Sequence, residues 1–309
     1  MGKRRFLWIT LLFLCGILPA WAQWDASFSQ YWAARGYSNP SFVGEKEVIR
    51  TAALYRSPWS GIGKAPGQTL LTADMPFEFL GRRHGTGLMA YTETAGTLRN
   101  SLLAAQYSFK KEVGSGFLNI GLQAGVYNLG FDAGSRRFMR DSLSRGRGTL
   151  EVTPAKKQLF DLGTGISWTG RHFLAGLSVL HINQPRFYRY DDGNAPGIII
   201  DTGNTDNLPN DSLTSRIPRS YNLMAGCNIR LFHPLELQPM VWLQNTSGMT
   251  KARATLRLEY DKKFSGGVSW RRDEGYVLFA GTTFHGIEMG YAYDLYTGGI
   301  GKESMGSHE

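Results

Sequence analysis

Cysteine is almost absent from this chain, with two in 309 residues. Cys15 lies in an apolar leader, so once the leader is removed Cys227 has no partner and an intramolecular disulfide is excluded. Long hydrophobic runs are also missing. The best, Phe6 to Leu18, covers 13 residues, whereas a spanning helix needs ~20. After Gln23 no stretch sustains helical periodicity, and 38 glycines with a mean hydropathy of −0.25 exclude a helical membrane protein. No block of five or six like charges occurs after the leader, which removes support for nucleic-acid binding. Enzyme signatures are missing as well: there is no H-E-x-x-H, C-x-x-C or G-x-S-x-G. The Gly61-Ile62-Gly63-Lys64 and Gly299-Ile300-Gly301-Lys302 stretches lack the first phosphate-loop glycine and a hydroxyl residue after the lysine, so they read as turns. The six histidines are scattered, and His233 and His285 fall at turns, where solvated side chains are expected. Neither a cofactor nor a resident metal is expected. What the chain does have is apolar bulk, with 17 Phe, 14 Tyr and 8 Trp, far too much for a disordered polypeptide.

The first 22 residues read as a cleaved signal peptide. Lys3, Arg4 and Arg5 supply the basic start, the apolar run follows, and Ala20-Trp21-Ala22 offers an A-x-A cleavage site near Ala22. Leu14 stands where lipoprotein processing at Cys15 would need a small residue. Cleavage lowers the formal charge from +9 to +6, leaving 31 basic against 25 acidic residues.

Period-2 alternation then dominates, the mark of half-buried strands. Leu118, Ile120, Leu122, Ala124 and Val126 alternate with Asn119, Gly121, Gln123, Gly125 and Tyr127. Ala252, Ala254, Leu256 and Leu258 likewise oppose Lys251, Arg253, Thr255, Arg257 and Glu259. The pattern predicts thirteen strands, at 47–57, 69–79, 84–93, 98–110, 116–130, 157–169, 171–182, 218–231, 235–246, 250–261, 263–272, 275–284 and 286–295. Connections after even-numbered strands are tight. The long ones, 58–68, 131–156 and 183–217, all follow odd-numbered strands. A soluble sandwich has no reason to sort its loops by parity, whereas an outer-membrane barrel keeps short turns in the periplasm and long loops outside.

In lipid every backbone polar group must be satisfied internally, so an exported membrane chain without spanning helices must close into a barrel. The fold expected is therefore all-β, an antiparallel transmembrane β-barrel of about 14 strands, its apolar faces against outer-membrane lipid. Tyr221, Tyr260, Tyr291, Tyr293 and Phe284 near strand ends suit interfacial girdles. The polar faces line a lumen carrying Arg230, Glu236, Arg253, Arg257 and Glu259, either as a cross-strand ion-pair ladder or as simple neutralisation of a wet interior. Thirteen is odd, while bacterial single-chain barrels use even numbers. With residues 296–309 read as an external loop, the expectation is a fourteenth strand beyond Glu309, or a count off by one. The organisation expected is a leader (1–22), an aromatic N-terminal segment (23–46) acting as a lumen plug or a periplasmic docking piece, and the barrel (47–309). Asp201, Asn204, Asp206, Asn210 and Asp211 crowd one long loop. They would suit Ca²⁺ by donor type but lack the EF-hand order, so a polar loop is the reading.

Three blocks of residues carry a family resemblance. Asp25, Phe28-Ser29-Gln30-Tyr31, Asn39-Pro40 and Gly44 form the first, and Tyr55-Arg56, Trp59, Gly61, Pro66 and Thr69 the second. Gly290 to Asp294 with Gly306-Ser307-His308-Glu309 form the third. Together they resemble the PorP/SprF outer-membrane proteins of the type IX secretion system. Trp32-Ala33-Ala34 and Ser41-Phe42-Val43 depart from that pattern. The resemblance implies a non-enzymatic barrel of roughly 14 strands in the outer membrane, aiding export or surface anchoring of secreted proteins, with an association to gliding motility. It implies as partners periplasmic components of the same machine and the C-terminal sorting domains of cargo proteins. The alternatives are an outer-membrane pore for small or apolar solutes and an outer-membrane hydrolase. The hydrolase needs a Ser/His/acid group on one barrel wall, and the alternation provides none.

Overall fold

The structure is a computed structural model and describes residues 25–62, 65–96, 98–131, 157–188, 215–298 and 300–309. The leader, Trp24 and the acidic loop stretch 201–211 lie outside the described residues. The strands are β1 (Arg50–Arg56), β2 (Gly67–Phe79), β3 (Arg82–Ala95), β4 (Leu98–Val113), β5 (Gly116–Phe131), β6 (Lys157–Gly170) and β7 (Phe173–Leu180). β8 (Arg186–Tyr188) and β9 (Ser215–Arg216) form a small separate ribbon. β10 (Ser220–Cys227) and β11 (Ile229–Phe232) follow, then β12 (Leu235–Thr246), β13 (Met249–Tyr260), β14 (Phe264–Arg271), β15 (Gly275–Phe284), β16 (Ile287–Tyr296) and β17 (Ser307–His308).

Neighbours in the main sheet are antiparallel and follow chain order from β1 to β7, then β10 and β12 to β16. β17 completes the round. His308 and Ser307 pair with Tyr293 and Asp294 of β16, and His308 also pairs with Ser57 just past β1. The result is a nearly closed antiparallel barrel of fourteen courses. Every one of the thirteen predicted strands has its counterpart in the sheet.

The structure departs from the sequence reading in three places. The 218–231 strand is interrupted at Asn228, whose side chain donates to Glu236 (2.7 Å) and whose amide donates to the His172 carbonyl (2.7 Å). Part of the 183–217 connection is ordered as the β8–β9 ribbon, held down by Ile217, which is fully buried and whose amide bonds the Pro185 carbonyl (2.9 Å). The stretch after β16 is not all loop. Gly306 turns the chain at φ 90°, a conformation that favours glycine, and Ser307–His308 then enters the sheet.

At one end every connection is short, namely 80–81, 114–115, 171–172, 233–234, 261–263 and 285–286. The long connections 57–66, 132–156 and 181–219 leave the other end, beside tight turns at 96–97, 247–248 and 272–274. The two ends are called here the turn end and the loop end.

The alternation sorts as a bilayer requires. Leu103 and Leu122 are 64% and 56% exposed on the outer face, joined by Leu88, Phe160, Leu256 and Leu278. Asn119, Gln123, Arg253, Thr255 and Arg257 are buried on the inner face. Turning Arg253 or Arg257 outward would cost about 2–4 kcal/mol each at the midplane. Phe79, Phe232, Tyr260, Phe264 and Phe284 are exposed close to the turn end, where a bilayer interface favours aromatic rings. Among the described residues no helix is long and apolar enough to cross a membrane.

Candidate functional site

A barrel of fourteen strands is wide enough to leave a channel unless something fills it. Residues 25–45 do so, and 46–49 emerge exposed at the far end before β1. The segment runs through the interior from the loop end, where Asp25 meets His181 and Gln244, to the turn end, where Glu45 to Glu47 lie beside Pro76, Phe77 and Arg83. Phe28, Tyr31, Trp32, Ala34, Phe42 and Val43 are all buried although they belong to no strand.

Their side chains divide the interior into two apolar clusters. Phe28 and Ala34 pack with Leu54, Leu70, Met89, Tyr91 and Leu102. Phe28 lies edge-on to Tyr37 (5.6 Å between centroids) and to Tyr91 (6.4 Å), the geometry ring quadrupoles favour. Tyr31, Trp32 and Phe42 pack with Met224, Met240, Trp242, Val277 and Phe279 across the lumen. Burying such rings removes them from water at roughly 25 cal/mol per Å², which is why an apolar segment prefers this lumen to solvent.

Two short 3₁₀ turns, Arg35–Tyr37 and Pro40–Phe42, shape the middle of the segment. Asn39 caps the second. Its Oδ1 accepts from the Ser41 amide (2.9 Å) and hydroxyl (2.7 Å), while its Nδ2 donates to the Leu177 carbonyl on the barrel wall (3.1 Å). Proline at the next position suits a first helical residue, because it needs no donor there. This turn lies directly on inward-facing glycines. A Cβ on Gly85 would overlap the Val43 backbone, one on Gly121 the Pro40–Ser41 backbone, and one on Gly165 the Asn39 side chain. Glycines inside strands are used here for close backbone approach. Ser108, Ser178 and Gln106 from the wall donate to the carbonyls of Ser41, Ser38 and Gly36, the first and last at 3.0 and 2.7 Å.

Near the β1–β16 junction a charged group holds the start of the segment. Asp294 accepts from Arg56, from Arg271 (2.8 Å) and from the Ser29 hydroxyl (2.8 Å), and Arg271 also donates to Ser29 Oγ (2.6 Å). Arg56 donates to the Ser27 carbonyl and Arg253 to the Phe28 carbonyl. The Arg253 guanidinium lies 4.7 Å from the Trp242 ring centre and 5.3 Å from that of Tyr31, a cation–π arrangement strengthened by burial. The amides of Ser29 and Gln30 donate to the Glu309 carboxylate, and Gln30 lies against Gly290.

At the loop end His181 stands between two carboxylates. Its Nδ1 is 2.8 Å from Asp161 and its Nε2 2.9 Å from Asp25, so both nitrogens are placed to donate, as an imidazolium does. Burial alone would push this imidazole down; Asp25 and Asp161 more than offset that and raise it to about 10. Burial works against the Asp25 carboxylate too, but His181 holds it below its usual range. A raised histidine stabilises fully below its unfolded value, about 6.5, and loses that contribution as pH rises through 10. The lowered aspartate contributes above about 4 and loses it in stronger acid. The latch is therefore complete from about pH 4 to 6.5 and fails in alkali. The thermal midpoint in detergent should fall from pH 7 to 10.5 more steeply for this chain than for His181→Asn.

The residues singled out in the sequence distribute unevenly. Asp25, Phe28, Ser29, Gln30, Tyr31, Asn39, Pro40 and Gly44 all lie in the lumenal segment, where Gly44 donates its amide to Asp74 (2.9 Å). Arg56 joins them, and Trp59 donates its amide to Ser307 Oγ (2.9 Å) at the β1–β17 junction. Gly61 follows with φ 89°. Tyr55 and Thr69 instead face each other across the β1–β2 pair, and Pro66 sits just before β2. Of the lumenal charges, Arg253 serves the N-terminal segment, while Arg257 pairs with Glu259 (2.6 Å) and Glu288 (2.9 Å). Arg230 is mostly exposed and reaches Glu236 only at 3.8 Å. Nothing in the local sequence pattern marks His181, Asp161 or Arg271, and the seat glycines show only as an inward glycine repeat, Gly121 with Gly125 and Gly163 with Gly165. Among the described residues no group of His, Cys, Asp and Glu is placed to hold a metal ion.

Residues 20–309 match the family described as type IX secretion system membrane protein PorP/SprF. No curated protein matches the chain.

Proposed function

Because this chain belongs to the PorP/SprF family of type IX secretion system membrane proteins, we propose that it serves the machine in the outer membrane as a non-enzymatic, protein-binding barrel and not as a solute pore. The observation that carries this reading is the lumenal segment. Among the described residues, two aromatic clusters occupy the interior and the segment is bonded to the wall along its length, which obstructs the lumen a solute would need. The surfaces left for partners are the loop end and the turn end. With short turns in the periplasm, the turn end would meet periplasmic components of the machine, and the loop end would meet the C-terminal sorting domains of cargo. The leader, cleaved near Ala22, would deliver the chain to this membrane. The lumenal segment is then a plug, and its docking role is internal.

A deletion strain tests the reading. Loss of the gene should abolish surface display of secreted proteins, and re-expression of the chain should restore it. The purified barrel in a planar bilayer should show no steady conductance. Normal export together with altered solute uptake and a stable open pore would establish a transport channel in its place.

A further inference from the structure

At the turn end the lumen opens into a cavity of about 310 Å³ between the N-terminal segment and the strand ends, lined by Glu45, Arg83, Lys110, Phe117, Asn119 and Thr169 among others. Lys110 lies at its inner side, with 7% of its surface exposed. An ammonium has three donors, yet among the described residues this one makes a single long hydrogen bond, to Asn119 Oδ1 at 3.4 Å. The two carboxylates that bear on it are committed elsewhere: Glu45 to Arg35 (3.1 Å), and Asp74 to Arg50 (3.2 Å) and the Gly44 amide (2.9 Å). Arg83 is likewise occupied, stacked over Phe117 at 5.2 Å and paired with Glu47 at 3.1 Å.

A buried charge without a counter-charge is costly, and one anion within hydrogen-bond reach removes most of that cost. With Glu45 committed to Arg35, the cavity's other cations, Lys46 and Arg83, are matched in number by Glu47 and Glu78 around the mouth. One negative charge is therefore what the site lacks, which disfavours a phosphate dianion. Phe117 and Pro76 add an apolar wall.

We propose that this cavity is a binding site for a carboxylate carried on a short apolar stem, received by Lys110. The carboxylate would come either from a free small acid or from an acidic side chain of another protein. The site does not depend on the secretion reading.

The test uses the full chain in detergent with para-fluorophenylpropionate as probe, followed by fluorine NMR. The acid should bind saturably and the matching propionamide should not. Lys110→Met should weaken the acid about tenfold or more, the loss of a charge-assisted hydrogen bond, while the exposed Lys302→Met should bind like the unaltered chain. Asn119→Asp places a carboxylate beside Lys110 and should abolish binding without removing the positive charge. Unaltered heat-modifiable gel mobility would establish that each variant is folded. An acetylated, amidated Ala-Glu-Ala peptide that displaces the probe would assign the site to protein side chains, and failure to displace would assign it to free acids. Equal binding of acid and amide by the unaltered chain, or full binding by a folded Lys110→Met or Asn119→Asp chain, would overturn the proposal.

Discussion

Gly121→Val is expected to force the N-terminal segment off the barrel wall. The new side chain would enter the space held by Pro40 and Ser41 backbone, and neither partner can yield. Gly121 is an interior residue of β5, paired to Ser108 and Gly165 on the two adjacent strands, and the turn above it is bonded on both flanks. Overpacking costs typically 1–3 kcal/mol where side chains can adjust, and contact with fixed backbone places this change at about 3 kcal/mol or more. Valine favours strands, so the barrel should still assemble while the segment undocks. Two measurements follow: protease added to the solubilised protein should cut within 25–46 only in the variant, and the variant should conduct ions in a planar bilayer where the unaltered chain does not. A variant that stays protected and silent would show that the turn does not depend on this seat. Gly266→Ala, where an added Cβ would meet only ordinary contact, is the control expected to change neither measurement.

Asp294→Ala is the second large effect. This carboxylate is 2% exposed and takes bonds from Arg56, Arg271 and Ser29 together. Removing one member of a buried ionic group costs about 3–5 kcal/mol, chiefly because the partners stay buried and uncompensated. Two guanidiniums would be left, beside a third from Arg253 that already contacts the same stretch of chain. The expected result is a fall of this size in the free energy of unfolding from urea titration into lipid vesicles, with the start of the segment released. Arg271→Leu in the same chain removes one stranded cation and should recover part of the loss. Additive damage in the double variant would deny that the residues act as one group.

Much of this architecture is legible in the chain because period-2 alternation reports which side of a sheet a residue faces. Leu256 and Leu258 against Arg253, Arg257 and Glu259 cannot be reconciled with lipid in any other register, since a slip of one residue would put both arginines into hydrocarbon. The thirteen strands and the sorting of the long loops follow from that constraint with local turn chemistry. The lumenal site is a different case. Asp25 and His181 are 156 positions apart, and Ser29 and Arg271 are 242 apart. An inward polar residue satisfies the alternation equally well facing water, a neighbouring strand or a plug.

The N-terminal segment shows the same division. Its aromatic richness marks it as something that must be buried, because so many rings cannot stay in water, but burial inside the lumen and burial against another protein leave the same sequence signal. Asn39, Pro40 and the inward glycines are matched in shape only once the barrel has closed and brought β3, β5 and β6 around the turn. Composition and periodicity therefore decided the solvent of the outer face, thirteen of the fourteen courses and the sorting of the connections, each set by local backbone geometry and the cost of a charge in lipid. Tertiary structure alone decided what fills the interior, which arginines share Asp294 and which histidine meets Asp25. Those contacts join residues whose separation along the chain carries no periodic trace.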